Sequence, residues 1–133
     1  MPRTLTAIAT MALAPALLLA ATASSSLAAA PAAAPARVTV TITAQGTDLS
    51  GEVRSPKPRK CAANRTVIVV KQTGARGGGD DVRFAMDTSG AQNGKWTWST
   101  GNTGTAGRFY AKVQAKAGCK AATSPTIRAV RSN

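Results

Sequence analysis

Residues 38–43 alternate without a break: Val38, Val40 and Ile42 on one side, Thr39, Thr41 and Thr43 on the other. A period of two in β-branched residues is the pattern of a half-buried strand. It recurs along the chain, and no convincing 3.6-residue apolar period accompanies it. Asp48 to Arg54 places Leu49, Gly51 and Val53 on one face, a strand with a weak glycine centre. Val67-Ile68-Val69-Val70 is an unbroken apolar run of strand length, suited to burial on both faces. Val82, Phe84 and Met86 alternate with Arg83, Ala85 and Asp87, and Trp96 and Trp98 share one face of Lys95–Ser99. Phe109, Ala111, Val113 and Ala115 share a face of Arg108–Lys116, and Ile127 and Ala129 point inward from a closing strand over Thr126–Val130. Between these segments lie Gln45-Gly46, the two-proline loop Ser55–Arg59, the glycine loop Gly74–Gly79, Asn93-Gly94 and Gly101–Gly107. Short strands punctuated in this way predict an all-β fold, a single seven-stranded antiparallel β-sandwich of immunoglobulin-like or transthyretin-like kind.

The first residues stand outside this pattern. Met1-Pro2-Arg3 is a positive start, an apolar stretch runs from Leu5 to Ala23, and Ser26-Leu27-Ala28 fits the small-x-small rule before a signal peptidase cut. Residues 1–28 are therefore expected to be a signal peptide, 29–36 a disordered Ala/Pro arm, and 37–133 the domain of a secreted, extracellular protein. The rival reading is a retained membrane anchor, because the run approaches the ~20 residues that span a bilayer. Pro15 and the weak hydrophobicity of Ala and Thr argue against it, so no transmembrane segment is expected in the mature chain, which reads as a monomer.

An exported chain with two cysteines suggests one disulfide, Cys61–Cys119. A free thiol pair or an intermolecular bridge are the alternatives. Closing so long a loop is worth roughly 4 kcal/mol in the chain-entropy model, a large share of the ~5–15 kcal/mol that holds a small domain together.

The succession Gly51-x-Val53, Cys61, Arg65-x-Val67-x-Val69, Asp87-x-x-Gly90 and Trp96-x-Trp98 resembles small secreted β-sandwich domains of actinobacteria, as does Gly107-Arg108-Phe109-Tyr110-Ala111-x-Val113 before Cys119-x-x-Ala122-x-Ser124. Those domains are similar to carboxypeptidase regulatory-like and transthyretin-like sandwiches. The resemblance spans about residues 37–131 and implies a non-catalytic module; it carries no catalytic residue with it.

The absence of histidine excludes His-dependent triads, His-containing metal sites and zinc fingers. The acids are Asp48, Glu52, Asp80, Asp81 and Asp87. Asp80 and Asp81 adjoin three glycines and read as solvated loop charges rather than a carboxylate pair. Asp87-x-Ser89 with Asn93-Gly94 faintly resembles a calcium loop, but Ala91 holds the next alternating ligand position, so a strand-ending turn is the better reading. Asn64-Arg65-Thr66 matches a glycosylation sequon, a triplet that recurs by chance. No cofactor, metal or enzymatic activity is expected.

The cations are more informative: 17 basic residues stand against 5 acidic ones, a formal charge of +12. Arg54, Lys57, Arg59, Lys60 and Arg65 flank Cys61, and Lys116 and Lys120 flank Cys119. A disulfide would bring both groups to one end of the domain, where their field would attract anionic cell-envelope polymers, nucleic acid, acidic polysaccharide or anionic lipid. The competing reading is a generally basic surface that keeps the domain soluble. Specific nucleic-acid recognition is not expected, because the aromatic residues lie between Phe84 and Tyr110, away from the basic segments. Trp96 and Trp98 could stack on sugars if exposed; a domain with so few large side chains is expected to bury them. The reading that follows is a secreted, non-enzymatic binding or accessory module with a polyanion-binding end. The alternative is an extracellular effector or inhibitor that meets a protein target through Thr73–Asp81.

Overall fold

A computed structural model describes residues 33–133. The expected signal peptide and the first part of the Ala/Pro arm lie outside the described residues. Five strands form one antiparallel sheet: β1 (Thr39–Val40), β2 (Thr43–Gln45), β3 (Asp48–Arg54), β6 (Gly90–Gln92) and β7 (Lys95–Asn102). Five more form a second: β4 (Thr66–Gln72), β5 (Val82–Thr88), β8 (Gly107–Val113), β9 (Ala122–Thr123) and β10 (Ile127–Ala129). In the first, β1 and β2 both pair with β3, which pairs with β7, and β7 with β6. In the second the order is β10-β8-β4-β5, with β9 also on β8.

Side chains of both sheets meet in one core. Val38, Val40, Ile42, Leu49, Val53 and Trp98 face Val67, Val69, Phe109, Ala111, Val113 and Ala129, with the disulfide between Cys61 and Cys119 in the same cluster. The alternation of 38–43 holds, since all three apolar members are buried, yet the ladder is interrupted between β1 and β2. The cause is Thr41. Its side-chain oxygen, rather than its carbonyl, accepts the Glu52 N–H at 2.9 Å. The Thr41 carbonyl lies instead across Gly51, 1.9 Å from where a Cβ would stand. The glycine that looked like a weak point permits this close approach.

The unbroken run in β4 is buried on both sides. Val67 and Val69 enter the main core, while Ile68 and Val70 join Tyr110 in a small second cluster on the opposite face of the sheet. In β5 the expected alternation is broken. The register against β4 shifts between Val69↔Ala85 and Val70↔Arg83, leaving Phe84 as an extra, bulged residue. Phe84 and Ala85 both pack against the core, and Phe84 meets Phe109 at 4.9 Å between ring centroids. Val82 and Met86, in step with Phe84 in the sequence, are left exposed.

Two further departures follow local chemistry. Residues 58–61 were expected within and beside a loop; Pro58 instead opens a single helical turn, α1 (Pro58–Cys61), because its fixed φ suits the first helical position. The long segment between Asp87 and Trp96 hides β6, which returns on β7 through Asn93-Gly94, both at positive φ. The chain passes from β5 to β6 at Ser89, which is fully buried. The Ser89 hydroxyl accepts from Arg65 N at 2.8 Å and donates to the Ala62 carbonyl, so the corner leaves no buried polar group unpaired there. No helix among the described residues is long and apolar enough to cross a membrane.

Candidate basic site at the disulfide

α1 turns Cys61 inward and its other residues outward. Cys61 is fully buried, whereas Lys57, Arg59 and Lys60 are exposed. The opposite half of the disulfide sits in a tight turn, where Lys116 N donates to Cys119 O at 3.1 Å and Cys119 N donates to Lys116 O at 2.9 Å. Gly118 in this turn has φ +75°, and a Cβ there would lie 2.6 Å from Lys60 Nζ. The Lys60 ammonium therefore rests over the Lys116–Cys119 turn. With the cysteine Cα atoms 5.4 Å apart, the structure brings Lys57, Arg59, Lys60, Lys116 and Lys120 to one end. None of the five has an ion-pair partner among the described residues.

Two of the seven expected residues have other work. Arg65 is 3 % exposed. Its guanidinium donates to Cys61 O at 2.6 Å and to Gln114 O, tying α1 to the end of β8. Burial lowers its pKa. Arg65 is thus a strut beneath the basic end and is not available to a ligand. Arg54 is exposed but forms an ion pair with Glu52 at 2.6 Å, and Lys95 holds the other oxygen of the same carboxylate at 2.9 Å. The Lys95 and Arg54 hydrogen bonds together hold the Glu52 carboxyl below its ordinary value.

One cation escaped the sequence reading. Ala36, the last residue of the expected arm, donates to Gly118 O and accepts from Lys120 N, each at 2.9 Å. This bridge carries exposed Arg37 to the same end. Nothing in the local pattern of Ala36-Arg37 signals a partner more than 80 positions away.

The remaining candidates resolve by geometry. Asp81 is no free loop charge: it accepts from Gly77 N at 2.8 Å, Tyr110 Oη at 2.8 Å and Thr73 N at 3.4 Å. Asp87 accepts from Ser99 N at 2.8 Å, while the Ser89 hydroxyl is sealed in the corner, so the two do not converge on one point. The tryptophans part company. Trp98 is 2 % exposed, while Trp96 is only partly buried against the core. No protein-family model matches the chain, and comparison with curated proteins finds no match.

Proposed function

We propose that the protein is a secreted, non-enzymatic module that binds anionic cell-envelope polymers through the disulfide end. The observation that carries this reading is the union of two separately basic segments by Cys61–Cys119. It leaves Lys57, Arg59, Lys60, Lys116 and Lys120 exposed together without acidic partners among the described residues. Exposed charges act together over ~8 Å at physiological salt, so cations on loops joined by a disulfide can add their fields. A polyanion neutralising them gains by counterion release, so binding falls steeply as salt rises. The non-enzymatic part of the reading is supported by the engagement of three of the five carboxylates. Glu52 is clamped between two cations, Asp81 anchors a loop, and Asp87 accepts a backbone N–H. The finer fold in this reading is an immunoglobulin-like or transthyretin-like sandwich, monomeric, and exported by a leader over residues 1–28.

The test compares two quadruple variants that lose equal charge. Lys57, Arg59, Lys60 and Lys120 changed to Gln should abolish retention on immobilised polyphosphate at low salt. The same change at Arg108, Lys112, Arg128 and Arg131 should leave most of it. Equal losses would mean that bulk charge alone acts. Arg37 is left out of the second set because it shares the basic end.

A second reading draws on the loop between β4 and β5. An effector acting through Thr73–Asp81 needs that loop held in shape, and Asp81 and Arg76 hold it. Arg76 lies 4.5 Å over the Tyr110 ring and donates to Ser124 O. An excess of a synthetic peptide copying 73–81 should then compete for the protein target.

A further inference from the structure

Arg65 is a buried cation without an acid. It is 3 % exposed, and a guanidinium keeps its proton at any pH the protein meets. Buried charges are ordinarily paired with an opposite charge. Arg65 has instead two carbonyls, Cys61 O and Gln114 O, and no ion-pair partner among the described residues. Carbonyl dipoles occupy its N–H groups and leave its charge uncompensated.

That charge lies beside an open cleft of about 290 Å³, near the lower bound of ~300 Å³ for small-molecule pockets. Ile68 forms an apolar part of its lining, on the face of the second sheet away from the main core. Thr66, two residues earlier on β4, shares that face. The bulge in β5 aims Arg83 there as well. Were β5 regular, Ala85 opposite Val69 would be followed by Phe84 opposite Val70 and Arg83 opposite Lys71, on the core side. The bulge sets Arg83 opposite Val70 instead, on the outer face. Lys116 brings a second cation from beyond β8, and Arg83 and Lys116 are both exposed without ion-pair partners among the described residues. Asn64, Thr66 and Gln114 add neutral donors, and none of the five carboxylates lines the cleft.

We infer that this cleft between β4, β5 and the end of β8 binds one phosphate group. Arg83 and Lys116 meet its oxygens, the Thr66 hydroxyl and the Asn64 and Gln114 amides take the rest, and Arg65 adds its charge from beneath without a contact. A phosphate offers more acceptor oxygens to such a set of donors than a carboxylate does. Lys116 also belongs to the disulfide end, so the cleft continues that surface, and the polymer suited to both carries phosphate rather than carboxylated sugars. The cleft stands on its own lining; the choice of polymer rests on the polyanion reading above.

The experiment titrates the protein with glycerol phosphate at constant ionic strength, followed by NMR shifts and thermal melts. Thr66, the Gln114 side-chain amide and Arg83 Nε should shift, while Lys57 and Arg59 should not. The melting temperature should rise with glycerol phosphate and stay level with chloride of equal ionic strength. Arg83→Gln, at an exposed position, should weaken binding roughly tenfold, the loss of one hydrogen bond to a charged group, and Lys57→Gln by less than about twofold. In a second arm, polyphosphate should be retained to higher salt than polygalacturonate, and Arg83→Gln should lower the retention of polyphosphate more. Absence of shifts at Thr66, Gln114 and Arg83, or equal losses in Arg83→Gln and Lys57→Gln, overturns the cleft, and polyphosphate retention that still depends on Lys57, Arg59, Lys60 and Lys120 then leaves the polyanion reading standing. Equal retention of the two polymers overturns the choice of phosphate. Retention of neither, with the glycerol phosphate shifts present, overturns the polyanion reading and keeps the cleft.

Discussion

The Tyr110 hydroxyl donates to Asp81 Oδ2 at 2.8 Å across 29 residues of chain. This bond lies on the face of the second sheet away from the main core, where Tyr110 packs with Ile68 and Val70. Arg76 covers the Tyr110 ring, and Arg108 donates to the Thr73 and Gly74 carbonyls at 3.2 and 2.9 Å. A loop with three glycines in succession is thereby fastened at both ends. The run Val67–Val70 can be apolar on both sides because Tyr110 packs with Ile68 and Val70 on the second side.

The fastening depends on pH. Hydrogen bonds from Gly77 N and then Tyr110 lower the Asp81 pKa. A carboxyl whose folded pKa is depressed adds stability above its unfolded value of ~3.9 and loses it as pH falls through the lower folded value. Gly77 amide exchange, corrected for its intrinsic rate, should therefore remain protected at neutral pH and lose protection in strong acid. Asp81→Asn should reproduce part of that loss at pH 7. The tyrosine offers a second measurement, since Tyr110 is the chain's one tyrosine. Burial and then Asp81 raise its pKa, so its ultraviolet titration should move toward the ordinary value in Asp81→Asn. An unmoved titration would show that the bond does not form.

Reducing the disulfide, or replacing Cys61 and Cys119 with Ser, should destabilise the domain by ~2–5 kcal/mol, the range for native disulfides in small exported domains. Thermal melts of oxidised and reduced protein measure it. Coincident melts would mean that the strands hold without the bridge.

Trp98→Ala removes a ring system that is 2 % exposed and should cost ~3–5 kcal/mol. Trp96→Ala should cost less, because part of that ring already meets solvent. Equal losses in chemical denaturation would contradict the difference in burial between the two.

Gly51→Ala should be among the most damaging small substitutions. Its Cβ would meet the Thr41 carbonyl at 1.9 Å and Trp98 Nε1 at 2.9 Å, and overpacking of this kind costs typically ~1–3 kcal/mol or more. Gly90→Ala, where no atom lies within 4 Å of the new Cβ, should be tolerated. A Gly51→Ala protein that melts with the wild type would mean that β1 and β2 shift freely against β3.

Much of the strand content was legible because period-two patterns are local. β3 and β4 lie where alternation or an apolar run put them, β8 ends at Val113 and leaves Ala115 exposed instead of running on to Lys116, and the Cys61–Cys119 pairing followed from the cysteine count and the expectation of export. What could not be read is non-local or a matter of one residue. The Phe84 bulge resets the faces of β5 without leaving a mark in the alternation. Burial of Arg65 depends on two carbonyls, Cys61 O and Gln114 O, one of them 49 positions away. Arg37 reaches the basic end through a bridge between distant segments. Splitting of the first strand needed the Thr41 side chain to displace its own carbonyl, a substitution of acceptors that sequence patterns do not encode.

The Phe84 bulge bears also on how such a chain behaves when crowded. Among the described residues β5 is the last strand of its sheet, and no further strand pairs with its outer edge. A flat, open edge bearing exposed Val82 and Met86 would be a template for another copy to add a strand, the first step toward fibrils. The bulge bends that edge and breaks its repeat, and Arg83 sets a charge between the two apolar residues. Deleting Phe84 would do more than loosen the core: it would straighten the edge and make it a better template for a second copy to pair with.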